Sequence, residues 1–219
     1  MGPTTVLFDL DGTLSDSAPG ILSSLRHAFT VNGLEPMTPE QELAVLGPPF
    51  YDSLPPLVGQ HRVAAVIEAY RFAYTGGGMY DTVAYDGIGD VLVWLRERGA
   101  TLAVATSKPE HYAAPIVEHL GFAGYFDTVC GDTMDGSRGS KALVVGEALH
   151  RLGDPAPDAV LMVGDRSHDV IGAREHGISC LGAGWGYGGP DELVSAGAIA
   201  IFADPVELYA ALGGLFGAG

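Results

Sequence analysis

The sequence predicts an α/β protein: a doubly wound parallel sheet interrupted by a small, all-helical insertion. Three observations lead there. After Gly87, short β-branched apolar runs alternate with segments of helical period, the pattern of a parallel sheet with helices on both faces. The run Thr4-Thr5-Val6-Leu7-Phe8 has the same strand character but stands alone at the N-terminus. Between the two, residues 15–82 keep helical spacing and hold no convincing strand. The expected division is 1–14 with 83–219 for the sheet and 15–82 for the insertion.

In order, 4–8 reads as a buried strand that turns sharply at Asp11-Gly12. Pro19 to Asn32 reads as a helix through Ile21, Leu22, Leu25, Ala28 and Phe29, stopped at Gly33. Thr38-Pro39-Glu40 is a helix-start signal, with Pro at the first helical position. Helical pattern then runs to Tyr74, broken near Gly47-Pro48-Pro49 and Pro55-Pro56, before a flexible Gly76-Gly77-Gly78. Beyond it come helix 88–98, strand 101–105, helix 109–120, strand 126–130, helix 141–152, strand 159–163, helix 170–176, strand 178–181 and a closing β-α unit.

Composition narrows the function. Hydrophobic residues make up 47% and charged residues 17%, which excludes a disordered chain. Two cysteines, Cys130 and Cys180, cannot staple a fold of this length. No apolar run reaches the ~20 residues of a bilayer span, and Met1 to Gly12 lacks a basic segment ahead of its apolar stretch. The expectation is a soluble, reduced, cytoplasmic protein, monomer or homodimer, with no membrane partner. A net charge of −16 repels nucleic acid. An anionic small substrate would need a local correction, a metal ion or a placed lysine, and the chain has only Lys108 and Lys141.

Ligands of open α/β sheets bind at the carboxyl ends of the strands. The first predicted strand runs into Asp9-Leu10-Asp11-Gly12-Thr13, the strand at 101–105 into Thr106-Ser107-Lys108, and the strand at 159–163 into Gly164-Asp165 with Asp169 four residues on. Lys141 opens a helix at the same rim. Converging carboxylates repel unless a cation sits among them, and hard oxygen ligands suit Mg²⁺. A Thr hydroxyl, a Ser N–H at a helix start and a lysine are phosphate-binding groups. A carboxylate can also act as nucleophile toward phosphorus.

These motifs, in this order and spacing, resemble the four motifs of the haloacid dehalogenase-like hydrolase superfamily, over essentially the whole chain. The resemblance implies a Rossmann-like core, with 15–82 as a helical cap. The chain looks most like the phosphoglycolate phosphatase and 5′-nucleotidase-like branch, through Asp16-Ser17-Ala18, Thr106-Ser107-Lys108-Pro109 and Asp135-Gly136-Ser137-Arg138 with Lys141. It implies Asp9 as nucleophile and Asp11 as general acid and base. Thr106 and the Ser107 amide would bind the phosphoryl group with Leu10, and Lys141 would neutralise charge. Asp9, the Asp11 carbonyl and Asp165 would hold Mg²⁺, with Asp169 orienting a metal-bound water. The implied substrate is a small phosphomonoester, phosphoglycolate-like or a nucleoside monophosphate.

Departures narrow the branch. Dehalogenating members carry an aromatic residue two positions after the nucleophile, where this chain has Asp11. Mutases of the β-phosphoglucomutase type carry a histidine twelve positions after it, here Ile21. Phosphonoacetaldehyde hydrolases need a cap lysine, and 15–82 contains none.

Other readings compete. Asp-Gly after a strand is ordinary hairpin chemistry. Gly184-Trp185-Gly186-Tyr187-Gly188-Gly189 formally matches a dinucleotide fingerprint, but it does not come after the first strand, and a flexible rim loop fits it better. His168 and Arg138 read as either substrate contacts or solvated residues. A binding protein that keeps the fold and a transferase with the same nucleophile stand as alternative functions.

Overall fold

The computed structural model describes residues 3–216. The chain divides into two compact units: residues up to Ser15 together with Ala84 onward, and Asp16–Val83. β1 (Thr5–Phe8) is buried at every position, as an interior strand covered on both faces must be. After the turn at Gly12 comes β2 (Ser15–Asp16), a strand of two residues that sequence reading did not anticipate. So short a segment has no periodicity to detect.

The helical unit is built on α1 (Ala18–Val31), whose buried stripe Ile21, Leu25, Ala28 and Phe29 recurs at helical spacing. Gly33 ends it at φ +63°, with Leu34 N–H donating back to Phe29 O at 2.9 Å. The start of α2 (Pro39–Ala44) is a reciprocal cap. Thr38 Oγ1 accepts from Gln41 N–H at 3.3 Å, and Gln41 Oε1 accepts from Thr38 N–H at 2.9 Å. α3 (Phe50–Ser53) and α4 (Pro55–Val58) are single turns between the prolines. α5 (Val63–Thr75) packs on α1. The Phe50 ring meets Tyr70 edge-on at 4.6 Å, and Tyr70 stacks on Tyr74 at 5.1 Å, three rings of this one unit. The chain leaves through β3 (Val83–Ala84), which pairs with β2.

The sheet unit then alternates. Its elements are α6 (Ile88–Glu97), β4 (Thr101–Pro109), α7 (Glu110–His119), β5 (Thr128–Asp132), α8 (Lys141–Arg151) and β6 (Val160–Gly164). They continue with α9 (Ser167–Glu175), β7 (Ser179–Ala183), α10 (Gly189–Ala196), β8 (Ala200–Phe202) and α11 (Pro205–Leu215). Six strands form one sheet in the order β5-β4-β1-β6-β7-β8, and its pairings are parallel. The Asp11-Gly12 turn is therefore not a hairpin. Leu7, Ala103, Met162 and Cys180 of the sheet and Val145 of α8 pack in one core cluster.

Several boundaries moved. β4 runs on to Pro109, four residues past the expected strand end, so Thr106, Ser107 and Lys108 lie in the strand and α7 opens only at Glu110. α9 starts at Ser167, three residues before the expected helix, because the Asp169 carboxylate caps its first turn and polar residues there hid the start. β5 starts at Thr128, since Phe126 turns its ring onto Phe8 (6.2 Å between centroids) instead of pairing.

Candidate active site

Strand order reverses at β1, whose neighbours β4 and β6 continue the sheet in opposite directions. That reversal opens a crevice at the carboxyl ends of these three strands, where such sheets bind ligands. Phe8 is in register with Val104 and Val163, so Asp9 emerges just past the last paired residue. The loop after Asp9 is held by main-chain bonds: Leu10 O accepts from Leu14 N–H at 2.9 Å and from Ser15 N–H at 3.1 Å. The Leu10 and Leu14 side chains are fully buried. Leu10 therefore has only main-chain groups to offer a ligand.

Lys141 is the first residue of the buried stripe of α8, ahead of Val144, Val145 and Ala148. The Ser140 side chain caps this helix by accepting from Leu143 N–H at 3.2 Å. Helical spacing thus carries Lys141 inward. Its stem passes over Gly172 of α9, where a Cβ would run into Lys141 Cβ and Cγ. Its ammonium lies 2.8 Å from Asp9 Oδ1, 2.7 Å from Asp169 Oδ1 and 3.0 Å from Ala105 O. Burial by itself opposes a charge on Lys141, but the Asp169 and Asp9 carboxylates more than offset it and raise its pKa.

Asp169 is doubly held: its other oxygen accepts from Arg166 N–H at 3.0 Å. Asp165 accepts from the Thr13 hydroxyl at 3.0 Å and from Tyr187 N–H at 2.8 Å. Gly186 lets that second donor in, because a Cβ there would meet Asp165 Cβ and Gly12 O. Trp185 Nε1–H donates to Thr13 O at 3.1 Å, tying the same loop to the turn after β1. The glycine-rich segment is thus the clamp on Asp165, a function its sequence did not disclose.

Asp9, Asp165 and Asp169 are buried and offer oxygens within 4.8 Å of one another. With one ammonium among three carboxyl groups, the cluster carries an excess of negative charge. Burial, with the Asp169 and Asp11 carboxylates adding to it against Lys141, holds the Asp9 carboxyl up at about 6. Burial likewise pushes Asp165 well above the usual carboxylate range, helped by Asp169 and Asp9. A buried all-oxygen donor set with excess negative charge fits a hard divalent cation.

On the other side of Asp9 lies a second pair. Lys108 Nζ is 2.9 Å from Asp11 Oδ2, and both side chains are largely buried. Sequence reading placed Lys108 at this rim without a role of its own; in the structure its ammonium meets a carboxylate. Thr106 is buried, and its Oγ1 accepts from Lys108 N–H at 3.2 Å, which leaves the hydroxyl proton to donate elsewhere. Ser107 is half-buried within β4, which continues to Pro109, so its N–H lies in a strand and not at the helix start expected from the sequence.

Two residues left open by the sequence are now placed. Arg138 turns to Gly131 O (2.6 Å) and lies beside Glu110 and Glu147, in a network with Arg151. His168 is exposed on the first turn of α9. Both cysteines are free and buried, and burial pushes both thiols up.

With a doubly wound sheet and an acid cluster at its switch point, comparison with known proteins converges on one family. A family model described as haloacid dehalogenase-like hydrolase matches residues 6–183, and the chain belongs to that family. It is 47% identical over 192 residues to the tyrosine-protein kinase PtkA of Mycobacterium tuberculosis, an alignment covering 86% of this chain and 65% of that protein. It is 38% identical over 194 residues to a 5′-nucleotidase of Pseudomonas aeruginosa, with 86% of each chain covered. Among solved structures, a predicted phosphatase from Clostridium acetobutylicum superposes with a TM-score of 0.91 at 34% identity, covering 97% of this chain and 99% of that one. Among the described residues, no helix is long and apolar enough to cross a membrane.

Proposed function

We propose that this protein is a Mg²⁺-dependent phosphatase of small cytoplasmic phosphomonoesters, working through an aspartyl-phosphate on Asp9. The observation that carries the reading is the Asp9–Lys141 pair at 2.8 Å beside Asp165 and Asp169. A carboxylate held by a buried ammonium at a strand end is a positioned nucleophile.

An Asp9 oxygen attacks phosphorus, the P–O bond to the leaving alcohol breaks, and Asp11 gives that oxygen a proton. Lys141 holds the charge that builds on Asp9 and the transferring group. The Thr106 hydroxyl and the Ser107 amide donate to phosphoryl oxygens, with the Leu10 main chain beside them. Asp11 then takes a proton from the water that attacks phosphorus, releasing phosphate and restoring Asp9. Asp9, the Asp11 carbonyl and Asp165 would hold Mg²⁺, with Asp169 behind them. When bound, the ion supplies positive charge to phosphoryl oxygens and neutralises the cluster.

The helical unit, Asp16–Val83, would serve as the cap domain, whose closure would exclude water and whose residues would read the leaving group. The substrate is phosphoglycolate-like or a nucleoside monophosphate. The named 5′-nucleotidase relative supports the latter, while Phe50, engaged with Tyr70, is less free to stack on a base.

A second reading is transfer of the same phosphoryl group to an alcohol or phenol acceptor, favoured by the 47% identity to a protein named a tyrosine kinase. The test is phosphate release from a panel holding phosphoglycolate, nucleoside monophosphates, sugar phosphates and p-nitrophenyl phosphate. It is run with Mg²⁺, with EDTA and with Asp9→Asn, and repeated with a tyrosine-containing peptide as acceptor. Metal-dependent release lost in Asp9→Asn supports the hydrolase; phosphotyrosine formed at the expense of phosphate supports the transferase. No release and no transfer from folded protein would remove both.

A further inference from the structure

We propose that Lys108 is a positioning residue that assigns separate tasks to the two oxygens of Asp11, reserving Oδ1 for proton transfer. The inference rests on the phosphatase reading and deepens it.

Lys108 reaches its place through a break in the sheet. β4 and β5 are in register up to Ala105 with Cys130, and the register shifts before Pro109 meets Asp132. Across that irregularity Lys108 N–H is tied to Thr106 Oγ1. Gly131 of β5 lies so close to Lys108 O and the Glu110 main chain that a Cβ there would collide with both. The backbone at 108 is therefore fixed from both sides, and the lysine side chain goes into the interior with its ammonium 2.9 Å from Asp11 Oδ2.

The two Asp11 oxygens differ as a result. Oδ2 faces an ammonium, while Oδ1 is buried and has no hydrogen-bond partner. An ammonium has only donors. Whatever the protonation state of Asp11, Oδ2 beside Lys108 can only accept. A proton on this carboxyl therefore sits on Oδ1. The same atom gives the proton to the leaving oxygen and later accepts one from the attacking water, and Oδ2 stays with Lys108 throughout. Without Lys108 the carboxyl is free to rotate about χ2 and to carry its proton on either oxygen.

The test separates this task from direct phosphate binding. An alkyl leaving group needs a proton as the P–O bond breaks, whereas p-nitrophenolate leaves without one. In folded Lys108→Met with Mg²⁺, kcat/KM for the best alkyl phosphate of the panel should fall about 100-fold, the lower end of what a placed general acid supplies. For p-nitrophenyl phosphate it should fall less than about 3-fold. Lys108→Arg, which keeps a donor-only cation, should recover part of the alkyl activity.

Removing one partner of a buried pair can unfold a protein. A second comparison therefore uses Asp11→Asn against Asp11→Asn/Lys108→Met, which leaves no unpaired carboxylate. If Lys108 acts through Asp11, the second substitution changes kcat/KM no further for either substrate. Equal losses on both substrates, or a further loss in the Asp11→Asn background, would show Lys108 binding the phosphoryl group itself and would overturn the proposal. Unchanged alkyl activity in Lys108→Met would overturn it too. Failure of the wild-type protein to release phosphate at all would instead strike the phosphatase reading, and this assignment with it.

Discussion

Lys141→Met removes a charge while nearly preserving the volume beside Gly172. The ammonium stands at 2.8 and 2.7 Å from two carboxylates and 3.0 Å from a carbonyl. At an effective dielectric constant near 20, each close ion pair is worth about 6 kcal/mol of Coulomb attraction. Burying the ammonium costs several kcal/mol in return. The balance, taken from buried pairs broken on one side, is a loss of about 3–5 kcal/mol, a large share of the 5–15 kcal/mol that holds a typical domain folded. Urea unfolding in EDTA at pH 7, followed by circular dichroism, measures it. The double variant Lys141→Met/Asp169→Asn should recover about 1–3 kcal/mol, because one excess carboxylate is gone. The single variant's loss should shrink at pH 5, where Asp9 can take up a proton in place of its lost partner. A loss below about 1 kcal/mol at pH 7, or no recovery in the double variant, would refute the view that Lys141 holds this cluster together.

Three further outcomes are expected. With Asp9 held at about 6 against an ordinary 3.8, the metal-free folded protein binds more protons than the unfolded chain between those values. Its stability therefore falls as pH rises from about 4 to 6, by up to about 3 kcal/mol. The rise in Tm on adding Mg²⁺ should accordingly be larger at pH 7 than at pH 5, and Asp9→Asn should flatten the difference. Gly186→Ala places a methyl group against Asp165 and Gly12 O. It should cost about 1–3 kcal/mol in denaturant titration and raise the Mg²⁺ concentration needed for half-maximal activity. Arg138→Ala should leave KM within twofold and lower stability by about 1 kcal/mol, because its guanidinium serves Gly131 O and the half-exposed Glu110–Glu147 network.

How much of this was legible beforehand depended on range. Alternation of strands and helices after Gly87 is a local pattern, and the parallel sheet came directly from it. The capping signal Thr38-Pro39 was equally local and is a reciprocal cap in the structure. The start of α9 was missed because its first turn is polar and is fixed by a carboxylate that faces inward. Asp9, Asp11, Thr106, Lys141, Asp165 and Asp169 stood out because each comes after a strand or opens a helix at the same rim.

The sequence by itself determined the periodicity, the punctuation of the strand ends and the residue types gathered there, since all are properties of neighbours in the chain. Only the tertiary structure decided which oxygen faces which ammonium. The pairing of Lys108 with Asp11, the clamp from Tyr187 and Thr13 on Asp165, and the passage of Lys141 over Gly172 join residues that the chain keeps far apart. These partnerships depend on sheet order and on backbone approaches that glycine alone permits. No local pattern encodes such distances, because they are set by packing of the whole unit.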